Sequence, residues 1–112
     1  MPTPGDIVMV RFPFAEKLAD SLHPALILED LGNNRYVAAY GSSQRVDKSS
    51  PPANEVVVSD PVSLAACGLN RPTRFDLAIR AQMFVTQRHV LGRLPATEMP
   101  KLYRAAVHCK LI

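Results

Sequence analysis

Two β-rich runs, PALILE (24–29) and RYVAAY (35–40), flank the short segment DLGNN (30–34). Glycine and asparagine adopt positive φ at little cost, so this segment suits a tight turn between antiparallel strands. A hairpin over 24–40 is therefore predicted. It fixes one spatial relation at once. With the turn at 30–34, the start of the first strand and the end of the second meet at the far end. His23 and Ser42 are then neighbours.

The rest of the chain extends the β pattern. GDIVMVRF follows Pro4 and stops at Pro13, predicting a first strand over Ile7–Phe12. Residues 13–23 form a long connection of mixed polarity, and long loops in small domains often carry function. GSSQRVDKSSPPAN (41–54) reads as a polar loop, and EVVVS (55–59) as a strand. DPVSLAACG (60–68) predicts a short helix, capped by Asp60, opened by Pro61 and ended by Gly68. In RFDLAIRAQMFVT (74–86), Phe75, Leu77, Ile79, Ala81, Met83 and Val85 alternate with polar residues. A period of two over this length predicts a long or bent strand with those six on one face. HVLGRL (89–94) adds a short strand.

The segment 96–112 predicts a closing helix with Thr97 as cap and Pro100 in the first turn. Its apolar stripe is Met99, Leu102, Tyr103, Ala106 and Val107. Strand-rich domains of this size avoid open edges by curling. The expected fold is mainly β with a C-terminal helix, a small antiparallel barrel forming one domain over residues 1–112.

Function classes narrow by composition and spacing. No run of about 18 apolar residues occurs, so no membrane span is expected. MPTPGDIVMV lacks a basic start followed by a long apolar stretch, so a cytoplasmic location is expected. Cys67 and Cys109 lack CxxC spacing and read as reduced, buried small hydrophobes. His23, His89 and His108 form neither HxH nor HExxH, so no metal site and no cofactor are expected. Phosphate-cradling GxxxxGK[ST], a glycine-rich dinucleotide turn and a GxSxG elbow are all missing. Charge is uneven: residues 1–69 carry five Lys/Arg against eight Asp/Glu, and residues 70–112 carry eight against two. A basic half suits an anionic partner, although a solvated basic face explains it equally.

The polar residues at strand ends remain. Imidazole exchanges a proton near neutral pH or sets a positive charge beside a phosphate. A serine hydroxyl donates to a phosphoryl oxygen. His23 with Ser42 thus suits phosphate chemistry. The plain alternative is an exposed loop histidine beside serines that make turn hydrogen bonds.

Ordered segments also carry a family resemblance. GDIVMVRFPF, a variable loop and HPALILED resemble the opening of the MazF/PemK family of toxin ribonucleases, where G-D-I-V and a hydrophobic residue precede a loop and R-P-A-L. VAAYGSSQ resembles that family's third strand, which ends in T-S or S-S. SDPVSLAACGLNRPTRF resembles a segment with D-P, then A-x-G-L-x-x-P-[ST]. VLGRLPATEMPKLYRAA resembles the closing I-G-R-L segment and final helix. The resemblance spans nearly the whole chain in order.

It implies an SH3-like barrel, usually a homodimer. It also implies a metal-independent endoribonuclease that cuts single-stranded RNA by attack of the 2′-hydroxyl, and an acidic antitoxin partner. The family's catalytic arginine and its threonine or serine fall on His23 and Ser42. Arginine is always charged and forks onto phosphate, whereas histidine makes a single contact and is charged part of the time. Lys17, Ser43, Gln44 and Arg45 are candidate RNA contacts, and Phe14 a candidate stacking residue. Two functions follow: a ribonuclease, or a catalytically degenerate module that binds nucleic acid or a protein without cleavage.

Overall fold

A computed structural model describes residues 1–12 and 22–112. Six strands form one antiparallel sheet: β1 (Asp6–Arg11), β2 (Leu22–Gly32), β3 (Arg35–Ser42), β4 (Glu55–Val58), β5 (Thr73–Phe84) and β6 (Val90–Arg93). Their spatial order is β4-β5-β3-β2-β1-β6, curled into a half-barrel. Helix α1 (Pro61–Cys67) joins β4 to β5, and α2 (Met99–His108) closes the chain. The mainly β architecture with a C-terminal helix is the one expected. Among the described residues, no helix is long and apolar enough to cross a membrane.

The hairpin forms where its turn residues dictate. Asn33 and Asn34 both adopt left-handed φ, 55° and 62°, as a two-residue turn between right-twisted strands requires. The strands run further than their apolar cores suggest. β2 begins at Leu22 rather than 24 and reaches Gly32, while β3 continues through Gly41 to Ser42. Backbone pairing with β1 and β5 extends both, with Val10 opposite His23 and Ser42 opposite Arg74.

Both faces of the sheet are covered. On one, Ile7, Leu26, Val56, Phe75 and Leu77 pack with Leu64 and Cys67 of α1 and Ala105 and Ala106 of α2. On the other, Val8, Val10, Phe12, Ala25, Ile27, Tyr36 and Tyr40 pack with Met83 and Val85. Successive residues of β1 and β2 thus serve opposite cores, as the pleat demands.

The alternation expected for 74–86 breaks. Ala39 pairs with Arg80, yet the next residue, Tyr40, pairs with Asp76. Three residues, 77–79, are therefore extra on β5. An odd number of extra residues exchanges the two faces. Phe75 and Leu77 enter the helix-side core, Met83 and Val85 the opposite one, and Ile79 is left exposed. The six apolar residues do not share one face.

Helix α1 starts and stops as expected. The Asp60 carboxylate accepts from Ser63 N–H, and Gly68 ends the helix with φ 72°. Helix α2 departs in two ways. Residues 96–98 form a 3₁₀ turn, so Thr97 is not the cap and no side chain caps α2. Ala105 and Ala106 are its buried residues, with Met99 and Leu102 partly buried against the same core, while Tyr103 and Val107 face solvent. Two alanines let the helix approach the sheet closely. The orientation is held by Glu98, which accepts from Ser63 Oγ at 2.9 Å and pairs with Lys101 at 2.8 Å.

Candidate functional site

At the end of the sheet where β2 begins and β3 ends lies a cavity of about 420 Å³, within the range of about 300–1,000 Å³ typical of small-ligand sites. His23 and Ser42 both line it. The hairpin register explains why. The paired ladder ends at Ala25 and Tyr40; beyond it Gly41 stays close to the Pro24 carbonyl, and His23 and Ser42 follow onto the cavity wall. The close approach needs glycine at 41. A Cβ there would stand 2.5 Å from the Pro24 carbonyl oxygen and 2.7 Å from Phe75 Cε1.

The imidazole of His23 rests against the Tyr40 ring, centroids 5.0 Å apart. Its Nε2 is buried and has no hydrogen-bond partner among the described residues. Leaving such a group unpaired costs about 1–3 kcal/mol. Ser42 is buried, and its Oγ accepts from Gln44 N–H at 3.1 Å. That bond occupies an acceptor lone pair and leaves the hydroxyl hydrogen to donate elsewhere.

The loop after Ser42 is tied down from behind. Arg74 Nε donates to the Gln44 carbonyl at 2.9 Å, and Arg74 Nη1 meets Glu55 Oε2 at 3.2 Å. Burial pushes the Glu55 carboxyl above its ordinary range, with Arg74 opposing and Asp76 adding to the rise. Asp76 itself accepts from Asn54 Nδ2 at 2.7 Å and from Ala78 N–H at 2.9 Å.

Of the other residues singled out by sequence, Ser43 and Gln44 line the cavity. Arg45 is exposed with φ 57° and does not line it. Lys17 and Phe14 lie outside the described residues. Sequence reasoning missed the opposite wall: Leu69, Asn70, Arg71 and Thr73, together with Tyr40 and Met9. Leu69, Asn70 and Arg71 lead into β5, which reaches the end of β3 through a non-local pairing that no local pattern announces. Among the described residues, no three His, Cys, Asp or Glu side chains gather into a metal-holding group.

No protein-family model matches the chain, and no curated protein matches it.

Proposed function

We propose that this protein is a metal-independent endoribonuclease of the MazF/PemK kind, acting on single-stranded RNA. What carries the reading is His23 Nε2, buried with no hydrogen-bond partner among the described residues, in a side chain that lines the same cavity as Ser42. An unpaired buried nitrogen is a standing cost, and a ligand that bonds to it removes that cost.

In the proposed reaction the RNA 2′-oxygen bonds to the adjacent phosphorus and the P–O5′ bond breaks. One proton leaves the 2′-hydroxyl and one reaches the departing 5′-oxygen. A 2′,3′-cyclic phosphate and a 5′-hydroxyl result, with no change of oxidation state. His23 handles protons or places positive charge at the phosphate. Ser42 donates to a non-bridging oxygen, where negative charge grows in the transition state. The basic composition of residues 70–112 favours a polyanion. A homodimer and an acidic antitoxin that covers the RNA site belong to the same reading.

The test is incubation of the purified protein with mixed single-stranded RNA in EDTA. Cleavage with cyclic-phosphate ends, lost in His23→Ala, is the expected result. Intact RNA at every pH between about 5 and 9 overturns the reading. Salt-sensitive RNA binding without cleavage selects the degenerate binding module instead.

A further inference from the structure

We propose that Arg71 is the residue that binds the scissile phosphate in the cavity of His23 and Ser42. This deepens the ribonuclease reading and rests on it for the identity of the ligand.

Arg71 lines the cavity together with His23 and Ser42, and among the described residues no carboxylate lines it. Two further cavities of the molecule each include one, Glu29 and Glu55 respectively. The exposed guanidinium of Arg71 has no hydrogen bond or ion pair to a described residue. Arg74, three residues on in β5, is by contrast committed to the Gln44 carbonyl and Glu55. Among the described residues, Arg71 is thus a full positive charge in a cavity wall that offers no carboxylate to neutralise it. A phosphodiester supplies the matching charge and two acceptor oxygens, which a planar guanidinium engages as a fork.

The backbone presenting Arg71 is held at both ends. Behind it, Gly68 N–H bonds to the Ala65 carbonyl at 3.1 Å and Leu69 N–H to the Leu64 carbonyl at 2.9 Å, closing α1. Ahead of it, Pro72 keeps Arg71 out of the helical region, and Thr73 Oγ1 donates to the Arg71 carbonyl at 3.0 Å. Thr73 then pairs with Val58 in the sheet. The phosphate contact is therefore offered from a short braced connector facing the hairpin end. Arg71 moves no proton; it holds the phosphate and opposes the charge that builds on it.

The experiment compares wild type, Arg71→Ala, Arg71→Lys and, as a control outside the cavity, Arg104→Ala. Two probes are used: a 2′-O-methyl single-stranded oligonucleotide, which keeps the phosphates but blocks attack, and unmodified RNA. Arg71→Ala is expected to bind the blocked strand about tenfold more weakly and to flatten the slope of log affinity against log salt by about 0.7. Arg71→Lys keeps the slope but loses most of the cleavage rate, because an ammonium lacks the fork. Arg104→Ala matches wild type in both. Wild-type-like binding slope and cleavage in Arg71→Ala overturn the inference and leave the ribonuclease reading standing. Arg71-dependent binding with no cleavage by wild type does the reverse. A wild type that neither binds nor cleaves overturns both.

Discussion

The His23 imidazole and the Tyr40 ring lie against each other with centroids 5.0 Å apart and planes inclined at 48°. Tyr40 is braced in turn by the edge of Phe12, at 5.4 Å and 80°. The histidine that the hairpin places at the cavity is therefore walled by aromatic surface, which limits how its ring can turn. Tyr40→Phe retains that wall and is expected to cleave RNA like wild type. Tyr40→Leu removes it and lowers single-turnover cleavage about tenfold, with an unchanged far-ultraviolet circular dichroism spectrum. Equal rates for the two variants would show that the stack is only packing.

Ser42 faces two ways, accepting from Gln44 N–H while its own hydrogen stays available. Ser42→Ala removes both functions, and Ser42→Thr keeps both. Loss of a donor to a developing oxyanion costs about 100-fold or more in turnover, whereas loss of a turn hydrogen bond costs only about 1 kcal/mol of stability. Cleavage assays and thermal melts on both variants separate the roles. A slow but nearly wild-type-stable Ser42→Ala supports catalysis; a destabilised, fully active one assigns the hydroxyl to the turn.

Gly41 lets β3 pass the Pro24 carbonyl and the Phe75 ring. Gly41→Ala is expected to lose about 1–3 kcal/mol through overpacking against these neighbours. Gly32 makes a useful comparison, since a Cβ there meets nothing within 4 Å and only its φ of 86° resists substitution. Melting temperatures should fall further for Gly41→Ala than for Gly32→Ala. The opposite order would mean that the crowding around Gly41 relaxes freely.

The two thiols should differ in reactivity. Burial, reinforced by the Glu98 carboxylate, pushes the Cys67 thiol up to about 11. A raised value means little thiolate at neutral pH, and thiolate is the reactive form. Cys109 is only partly buried. Iodoacetamide followed by mass mapping should label Cys109 in the folded protein and Cys67 only after denaturation. Early labelling of Cys67 would contradict its placement between α1 and the sheet.

Glu55 gives a pH signature. Burial raises its carboxyl above the ordinary range, so the folded state holds the proton more tightly than the unfolded chain does. Its contribution to stability is then full below the unfolded carboxylate range and is lost as pH rises through the folded value. Glu55→Gln cannot titrate. The melting temperature of the variant relative to wild type should therefore rise between about pH 4 and pH 7. A gap that is constant or shrinks over that range would show that the Arg74 ion pair outweighs the burial.

Much of the fold is legible locally. The hairpin follows from Asn33 and Asn34, and α1 follows from Asp60, Pro61 and Gly68, because caps and turns are decided by residues within a few positions of each other. The meeting of His23 and Ser42 follows from the hairpin alone. Periodicity was a poorer guide where long-range pairing intervened. The alternation in β5 is regular in sequence, yet three residues without a partner on β3, opposite the Ala39–Tyr40 step, turn its second half over. The apolar spacing of α2 permits several stripes, and contact with β4 and α1 chose the one with Ala105 and Ala106.

By itself, the sequence determined which segments pair locally, where the helices can start and stop, and that an imidazole and a hydroxyl share the hairpin's open end. Only the tertiary structure decided what faces them. Arg71 stands 48 positions after His23 in the chain and reaches the same cavity because β5 pairs with β3, setting Arg74 against Ser42. That pairing is non-local, fixed by which strands bury each other's side chains, and no pattern within either segment encodes it.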